Sequence, residues 1–474
     1  MKKVLVIAYF FPPLGGSGVQ RTLKFVKYLP KFGLQPIVST VRYGHNFAYD
    51  ESLLKEIPEI AKVYRSNSLE TLWLRTLIEK ATSFGRKKSK EVQALTHQGD
   101  LRQEDREQGN TKQEATSSED FDRETVSKAN TAEAHQSEAT VNKSTKKRLF
   151  EFIDNYLFIP DSKMRWLPCG ILNSLRVARK EKVDYLFSSS YPYTVHIIAL
   201  LVSKFYHKPW IADFRDPWVG NKAMAKNIAF RRNLDAWLER KVVKKATYII
   251  NVTPPITEMY KQRYPEFAGK MLTIPNGFDE QDFKTLSPVY QEKFTLIYTG
   301  SINEIHYDVE TFVKGVADFF QGQPTARTRF QCLFIGYIPS AVIEIFVRNK
   351  VRDILAILPY MEHYECLNYL AGAHLQFLTF GKDLDNAYSG KLFDYIGSGK
   401  PILALLPEGI AAELIREKKI GTLVSLGCWQ EVSKGIRKYY DDWLSGLDNN
   451  LDSASKCKEF SRESLTGQLV DLFK

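Results

Sequence analysis

Two series of short apolar runs, separated by longer amphipathic stretches, limit the folds open to this chain. The first series is KVLVIAYF (3–10), QPIVSTV (35–41), DYLFSSS (184–190), PWIADF (209–214), TYIINVT (247–253) and MLTIP (271–275). The second is FTLIYTG (294–300), RFQCLFIG (329–336), ILAILPY (354–360), LQFLTF (375–380) and PILALLP (401–407). A strand buried on both faces shows no polar alternation, so near-continuous apolar runs point to parallel sheets covered by helices on both sides. Helical patterns lie between the runs. In VQRTLKFVKYLPKFG, for example, Phe25, Leu29 and Phe32 share a face and Gly33 supplies the stop. The two series meet near residues 284–292. They predict an α/β protein of two doubly wound domains, 1–284 and 285–455, facing one another across a cleft. Residues 456–474 are expected to form a C-terminal helix packing back on the first domain.

Not all of the 474 residues fit that plan. Across residues 85–148 the only large apolar side chains are Val92, Leu95, Leu101, Phe121, Val126 and Val141. Such a stretch cannot bury enough surface to offset its ordering entropy, so it is expected to be a disordered or weakly helical insert. The other 410 residues suffice for two domains of about 200 each. The formal net charge of +11 is an average. Outside the insert, residues 1–284 carry +13 and residues 285–474 carry −3. A basic half suits an anionic membrane surface, a phosphorylated substrate or nucleic acid; no nucleic-acid-binding module is recognisable.

No run approaches the roughly 18 apolar residues of a spanning helix. Cys169, Cys332, Cys366, Cys428 and Cys457 form no CxxC pair and no Cys/His cluster, which argues against a disulfide framework or a structural zinc and for a reducing compartment. MKKVLVIAYFFPP begins as a signal peptide does, but Pro12 and Pro13 cut the apolar run short and no cleavage pattern follows. A first buried strand at 4–10 is the expectation, in a cytoplasmic protein.

Three places carry chemistry. After the first strand comes PPLGGSGVQR, where Gly15, Gly16 and Gly18 let the backbone approach a ligand at a helix N-terminus, a geometry that favours anions; a tight strand-to-helix turn would need the same residues. In NAYSGKLFDYIGSGKPILA, Ser389 and Gly390 precede a helix whose first turn holds Lys391. The helix dipole disfavours a cation there unless an anion is bound. Asp394, three residues on, lies on nearly the same face, where it would reach a sugar hydroxyl; a plain surface Lys–Asp pair is the alternative. Third, His196 opens an apolar helix after Ser-Tyr-Pro-Tyr, and Asp213, Arg215 and Asp216 follow a buried strand, the end at which parallel sheets place functional groups. A structural histidine and an internal Arg–Asp pair that fixes the loop compete with those readings.

Taken in order, these segments resemble the retaining glycosyltransferases of family 4. PPLGGSGVQR resembles the family's glycine loop, SSSYPYTVHIIAL (188–200) its SxPxxxxHLIA segment, DFRDPW (213–218) its RDxW element and IPNGFD (274–279) its IPNGxD turn. LIYTGSI (296–302) resembles the strand opening the second domain, and SGKLFDYIGSGKPILA (389–404) the donor site. The likeness covers nearly the whole chain apart from the insert. It implies the GT-B architecture of two Rossmann-like domains, and transfer of a sugar from a nucleotide-diphosphate donor with retained anomeric configuration. No cofactor or metal is implied, and no DxD motif stands in a plausible site. By the match, Lys391 with Ser389, Gly390 and Gly300 would hold the donor phosphates, with Gly15 and Gly16 across the cleft, and Asp394 the ribose or sugar. His196 and Asp216 would serve the reacting centre, with Arg21, Asp213 and Arg215 on the acceptor side. The acceptor would be a lipid-linked or polysaccharide chain in envelope or exopolysaccharide assembly.

The chain departs from the family twice. Asn386 stands where the first of two glutamates spaced by eight is usual, Asp394 replacing the second. Many members carry an Arg/Lys pair just after the residues matching Thr299–Ser301, whereas here no base appears until Lys314; Lys391 would take that task with helix dipoles alone, or with help from Lys382. A non-catalytic nucleotide-sugar-binding subunit and a nucleotide-sugar epimerase of the same architecture are the competing functions. Basic and aromatic residues mix in 226–248, 69–88 and 146–158. The first reads as an ordinary domain helix with a solvated face, the other two as peripheral membrane contacts or a lid over the acceptor.

Overall fold

A computed structural model describes residues 1–42, 49–69, 158–220, 228–302, 307–381, 384–447 and 450–474. The expected insert at 85–148, nearly all of its flanking pieces, and Lys382 lie outside the described residues.

The apolar runs form two parallel sheets. The first contains β1 (Lys2–Ile7), β2 (Leu34–Val41), β3 (Lys62–Ser66), β4 (Tyr185–Ser190), β5 (Trp210–Phe214), β6 (Tyr248–Asn251) and β7 (Met271–Thr273), in the order β3-β2-β1-β4-β5-β6-β7. The second contains β8 (Phe294–Thr299), β9 (Phe330–Ile335), β10 (Leu355–Leu358), β11 (Leu375–Thr379), β12 (Ile402–Leu405) and β13 (Gly421–Val424), in the order β10-β9-β8-β11-β12-β13. Every pairing is parallel, so each connection crosses a sheet face, as expected of doubly wound domains.

The sequence pattern did not disclose β3 and β13. Both are edge strands. KVYRS in β3 has only Val63 and Tyr64 between polar residues and is half-buried at best, and β13 opens on Gly-Thr, so neither presents an apolar run. The central strands do: Val4, Leu5, Val6 and Ile7 of β1 have no exposed surface.

The strand order reverses between β1 and β4 in one domain and between β8 and β11 in the other. A doubly wound sheet opens a crevice at such a switch point, beyond the carboxyl ends of its strands. At these ends lie the glycine loop, the Ser-Tyr-Pro-Tyr turn, Gly300 and the segment leading into the helix Gly390–Ser398.

The chain then returns to where it began. The helix Arg462–Asp471 follows the second domain, yet Leu465, Leu469, Val470 and Phe473 are buried in the core of the first. The return is fastened to the interdomain turn: Phe278 donates its N–H to the Phe460 carbonyl at 3.1 Å, and Arg462 donates its own to the Phe278 carbonyl at 2.8 Å. Gly277 makes this crossing possible, because a Cβ there would run into the Phe460 carbonyl oxygen. Gly277→Ala is therefore expected to destabilise the protein by about 1–3 kcal/mol as two backbone segments are pushed apart. Chemical denaturation would show it as a lowered midpoint.

Candidate functional site

The cleft is lined by groups of two kinds: some are fully paired, others lack a partner of opposite charge among the described residues. Arg21 is of the first kind. It lies on the helix Ser17–Tyr28, one turn behind the glycine loop, and is 1 % exposed. Its Nε and Nη2 donate to Asp213 at 2.9 and 2.8 Å, Nη2 also to the Ile274 carbonyl at 2.8 Å, and Nη1 to the Pro275 carbonyl at 2.7 Å and Asn276 Oδ1 at 3.4 Å. Asp213 also accepts from Ser189 Oγ at 2.6 Å. Every N–H of this guanidinium is used within the protein. Arg215 donates Nη1 to the Gly18 carbonyl at 2.6 Å and holds the glycine loop from behind. Asp216 beside it is exposed, and its charge favours the arginine.

His196 is enclosed in the first domain. Ser188 Oγ lies 2.8 Å from its Nδ1 and accepts from Trp210 Nε1 at 2.8 Å, so the serine hydroxyl proton is directed at Nδ1 and the imidazole is assigned as the Nε2–H tautomer. Nε2 has no hydrogen-bond partner among the described residues, and the ring lies 4.4 Å from that of Phe214. Burial pushes the imidazole down to about 3. The N-terminus of its helix is already taken: Asp161 accepts from the Thr194 N–H and hydroxyl, both at 2.9 Å.

Lys391 is of the second kind. Its side chain crosses Gly300, which has a φ of +100° and whose added Cβ would lie 2.7 Å from Lys391 Cε. Nζ donates to the Tyr298 hydroxyl at 2.9 Å and sits over that ring, 4.8 Å from its centroid. Among the described residues no carboxylate pairs with it, and burial lowers the ammonium to about 8. Ser389 Oγ caps the helix by accepting from the Lys391 N–H at 3.3 Å, and Gly390 has open space where a side chain would be. In the first domain, Gly16 takes a φ of +83° as N-cap of a helix with no side-chain cap, and Gly15 lies against Tyr360 of the second domain.

Asp394 makes no hydrogen bond among the described residues. Burial raises its carboxyl, against the pull of His363 and Arg462. Asn386 is exposed on the turn before the helix. The sequence reading missed Arg462 and His363. Arg462 carried the signal that singled out Lys391, a cation in the first turn of a helix.

Behind the cleft, Glu56, Asp279 and Asp282 bring carboxylate oxygens within 4.8 Å of one another, a spacing suited to a cation. Lysines fill it: Lys24 Nζ lies 2.7 Å from Asp282 and 3.0 Å from Asp279, and Lys27 Nζ 2.7 Å from Asp279. His363 joins from the second domain, its Nε2 3.5 Å from Asp282 and its backbone N–H donated to Asp50 at 3.0 Å. Burial works against the imidazolium, but Asp282 and Asp394 outweigh it and raise His363.

No protein-family model and no curated protein sequence matches the chain. Solved structures do. Sucrose-phosphate synthase from Thermosynechococcus elongatus aligns over 100 % of this chain and 98 % of its own, with 12 % identity and a TM-score of 0.58. Anabaena HepE in complex with UDP-glucose aligns over 99 % of both, with 11 % identity and a TM-score of 0.56. This is the GT-B fold. A putative UDP-N-acetylglucosamine 2-epimerase from Listeria monocytogenes shares it, at 11 % identity and a TM-score of 0.52 over 99 % of this chain and 95 % of the other.

The buried histidine has a measurable consequence. His196 titrates near 3 when folded and near its ordinary 6.5 when unfolded, so between these values the unfolded chain binds the extra proton. Its contribution is complete above 6.5 and is lost as pH falls, with a slope of up to about 1.4 kcal/mol per pH unit. Denaturation of the wild type and His196→Phe at pH 4.5, 5.5 and 6.5 checks it. The variant should show a flatter dependence.

Proposed function

We propose that the protein is a retaining glycosyltransferase that takes a sugar from a nucleotide-diphosphate donor and passes it to a lipid-linked or saccharide acceptor in envelope or exopolysaccharide assembly. The observation that carries this reading is Lys391: a half-buried ammonium with no carboxylate partner among the described residues, in the first turn of the helix Gly390–Ser398. A diphosphate supplies the charge this arrangement lacks. Lys391 and the N–H groups around Gly390 hold the donor phosphates, and the glycine-loop backbone at Gly15 and Gly16 approaches from the first domain. Asp394, one helical turn further in, accepts from a donor hydroxyl. Protein charge alone then stabilises the leaving diphosphate, so the reaction runs without a metal.

On the acceptor side, Asp216 is exposed beside Arg215 and faces an incoming hydroxyl. Arg21 and Asp213 serve by fixing the strand end beneath it. His196 acts through the wall it supports, behind Ser188 and Phe214.

In this reading the first domain also carries the surface that meets a membrane, and it lies on the 226–248 helix, expected from sequence to be an ordinary domain helix with a solvated face. Phe230 and Trp237 of the helix Ala229–Lys245 are exposed, with Lys241 over the Trp237 ring at 5.3 Å. Leu201 and Phe205, on the neighbouring helix Thr194–Tyr206, are exposed too. Aromatic and basic groups together suit the interface of an anionic bilayer, where a lipid-linked acceptor would be met from the cytoplasmic side.

Two measurements test the proposal. Transfer and donor binding with UDP-glucose, GDP-mannose and dTDP-glucose should identify one active donor, and Lys391→Ala should weaken its binding by about 10- to 100-fold. Equal binding by the variant would remove Lys391 from the site, and epimerised nucleotide sugar without transfer would make the protein an epimerase. Phe230→Ala/Trp237→Ala should reduce sedimentation with anionic phosphatidylglycerol vesicles at low salt while leaving donor binding unchanged. An unaltered vesicle-bound fraction would reject the surface.

A further inference from the structure

The C-terminal helix carries a charge, Arg462, that no group among the described residues pairs with. Arg462 is 7 % exposed, and its guanidinium makes no hydrogen bond and no ion pair among the described residues; Nη1 is wholly enclosed. Its backbone is fixed on both sides, by the N–H given to Phe278 and by Thr466 Oγ1, which donates to the Arg462 carbonyl at 2.7 Å. The side chain is therefore held in place without being satisfied.

Its surroundings are the cleft. Asp394 of the second domain and Asp279 at the turn attract it, and Arg21 and Arg215 of the first domain repel it. Arg21 is fully occupied by Asp213 and the carbonyls of residues 274 and 275, and Asp279 by Lys24 and Lys27. That leaves Asp394. The carboxylate and the guanidinium feel one another, yet they do not close to an ion pair, and neither has another hydrogen-bonding partner among the described residues. An enclosed arginine and a half-buried aspartate that do not meet can be bridged by a third group.

The chemistry selects that group. A guanidinium only donates and a carboxylate only accepts, so an intervening group must accept from one and donate to the other. A hydroxyl does both, whereas a phosphoryl oxygen has no proton for Asp394. We propose that Arg462 is a substrate-binding residue, delivered by the C-terminal helix, that with Asp394 holds a sugar hydroxyl of the bound nucleotide sugar. The inference rests on the nucleotide-sugar reading and adds to it a contact contributed by residues beyond the second domain. Because Arg462 is anchored on the first domain and Asp394 belongs to the second, the same hydroxyl ties the domains together when the donor is bound.

The test compares wild type with Arg462→Met, which keeps the volume and removes the charge. Binding is measured by calorimetry with UDP-glucose, GDP-mannose and dTDP-glucose, with their nucleoside diphosphates, and with inorganic pyrophosphate. The variant should bind the preferred nucleotide sugar at least about tenfold more weakly. An equal loss with the nucleoside diphosphate places the contact on the ribose, and a loss confined to the nucleotide sugar places it on the transferred sugar; either supports the proposal. An equal loss with pyrophosphate makes the contact a phosphoryl one and overturns it, as does undiminished binding. The ligand-free melting temperature supplies a second readout. Removing an enclosed, unpaired charge should leave it unchanged or raise it, whereas a marked fall would make Arg462 a structural support and overturn the assignment. Failure of the wild type to bind any of these nucleotide sugars overturns the parent reading too, which separates the two failures.

Discussion

Everything at the first domain's cleft edge depends on one enclosed guanidinium. Arg21 joins three pieces of chain: the helix behind the glycine loop, the end of β5 through Asp213, and the turn that leaves the domain through the carbonyls of Ile274 and Pro275. Arg21, Asp213 and Ile274 are buried, so their interactions are made in a low dielectric, and losing Asp213 would strand the guanidinium charge, at a cost of about 3–5 kcal/mol. The glycine loop, the strand end and the domain exit therefore hold or fail together. The loop can approach a ligand closely because its position is set from behind rather than by its own side chains.

A second contrast separates the hinge from the cleft. At the hinge, Lys24 and Lys27 are surrounded by Glu56, Asp279 and Asp282, with His363 completing the set from the second domain. These charges cancel locally and lock the linker to both domains. At the cleft, Lys391 and Asp394 are half-buried and Arg462 is buried, and none of the three has an ion-pair partner among the described residues. The protein can pair buried charges thoroughly and does so where it needs rigidity. Leaving three unpaired at one cleft is costly to the empty protein, and such a cost is retained where a ligand offsets it.

Much of this was readable from residue order. The central strands announce themselves because they are buried on both faces, and Gly33 and Gly399 end their helices with φ of +78° and +75°, as stop signals should. Lys391 stood out because a cation in a first helical turn contradicts the local dipole. Edge strands β3 and β13 escaped because half-exposed strands need no apolar run. The saturation of Arg21 escaped for a different reason: its partner is 192 positions away, and no local pattern reports on it. The start of the His196 helix is another case: Asp161, 33 positions upstream of Thr194, accepts from the Thr194 N–H there, and no local pattern reports it. Pairing across distance, more than secondary structure, is what sequence alone withholds.

The returning helix also constrains how the molecule is made. Leu465, Leu469, Val470 and Phe473 complete the core of the first domain, but they are translated only after the whole second domain has emerged. During synthesis the first domain waits with an apolar slot open, and its neighbour folds while that slot is still empty. The two domains are thus separate in architecture but interleaved in time, and the finished first domain is the later product of the two.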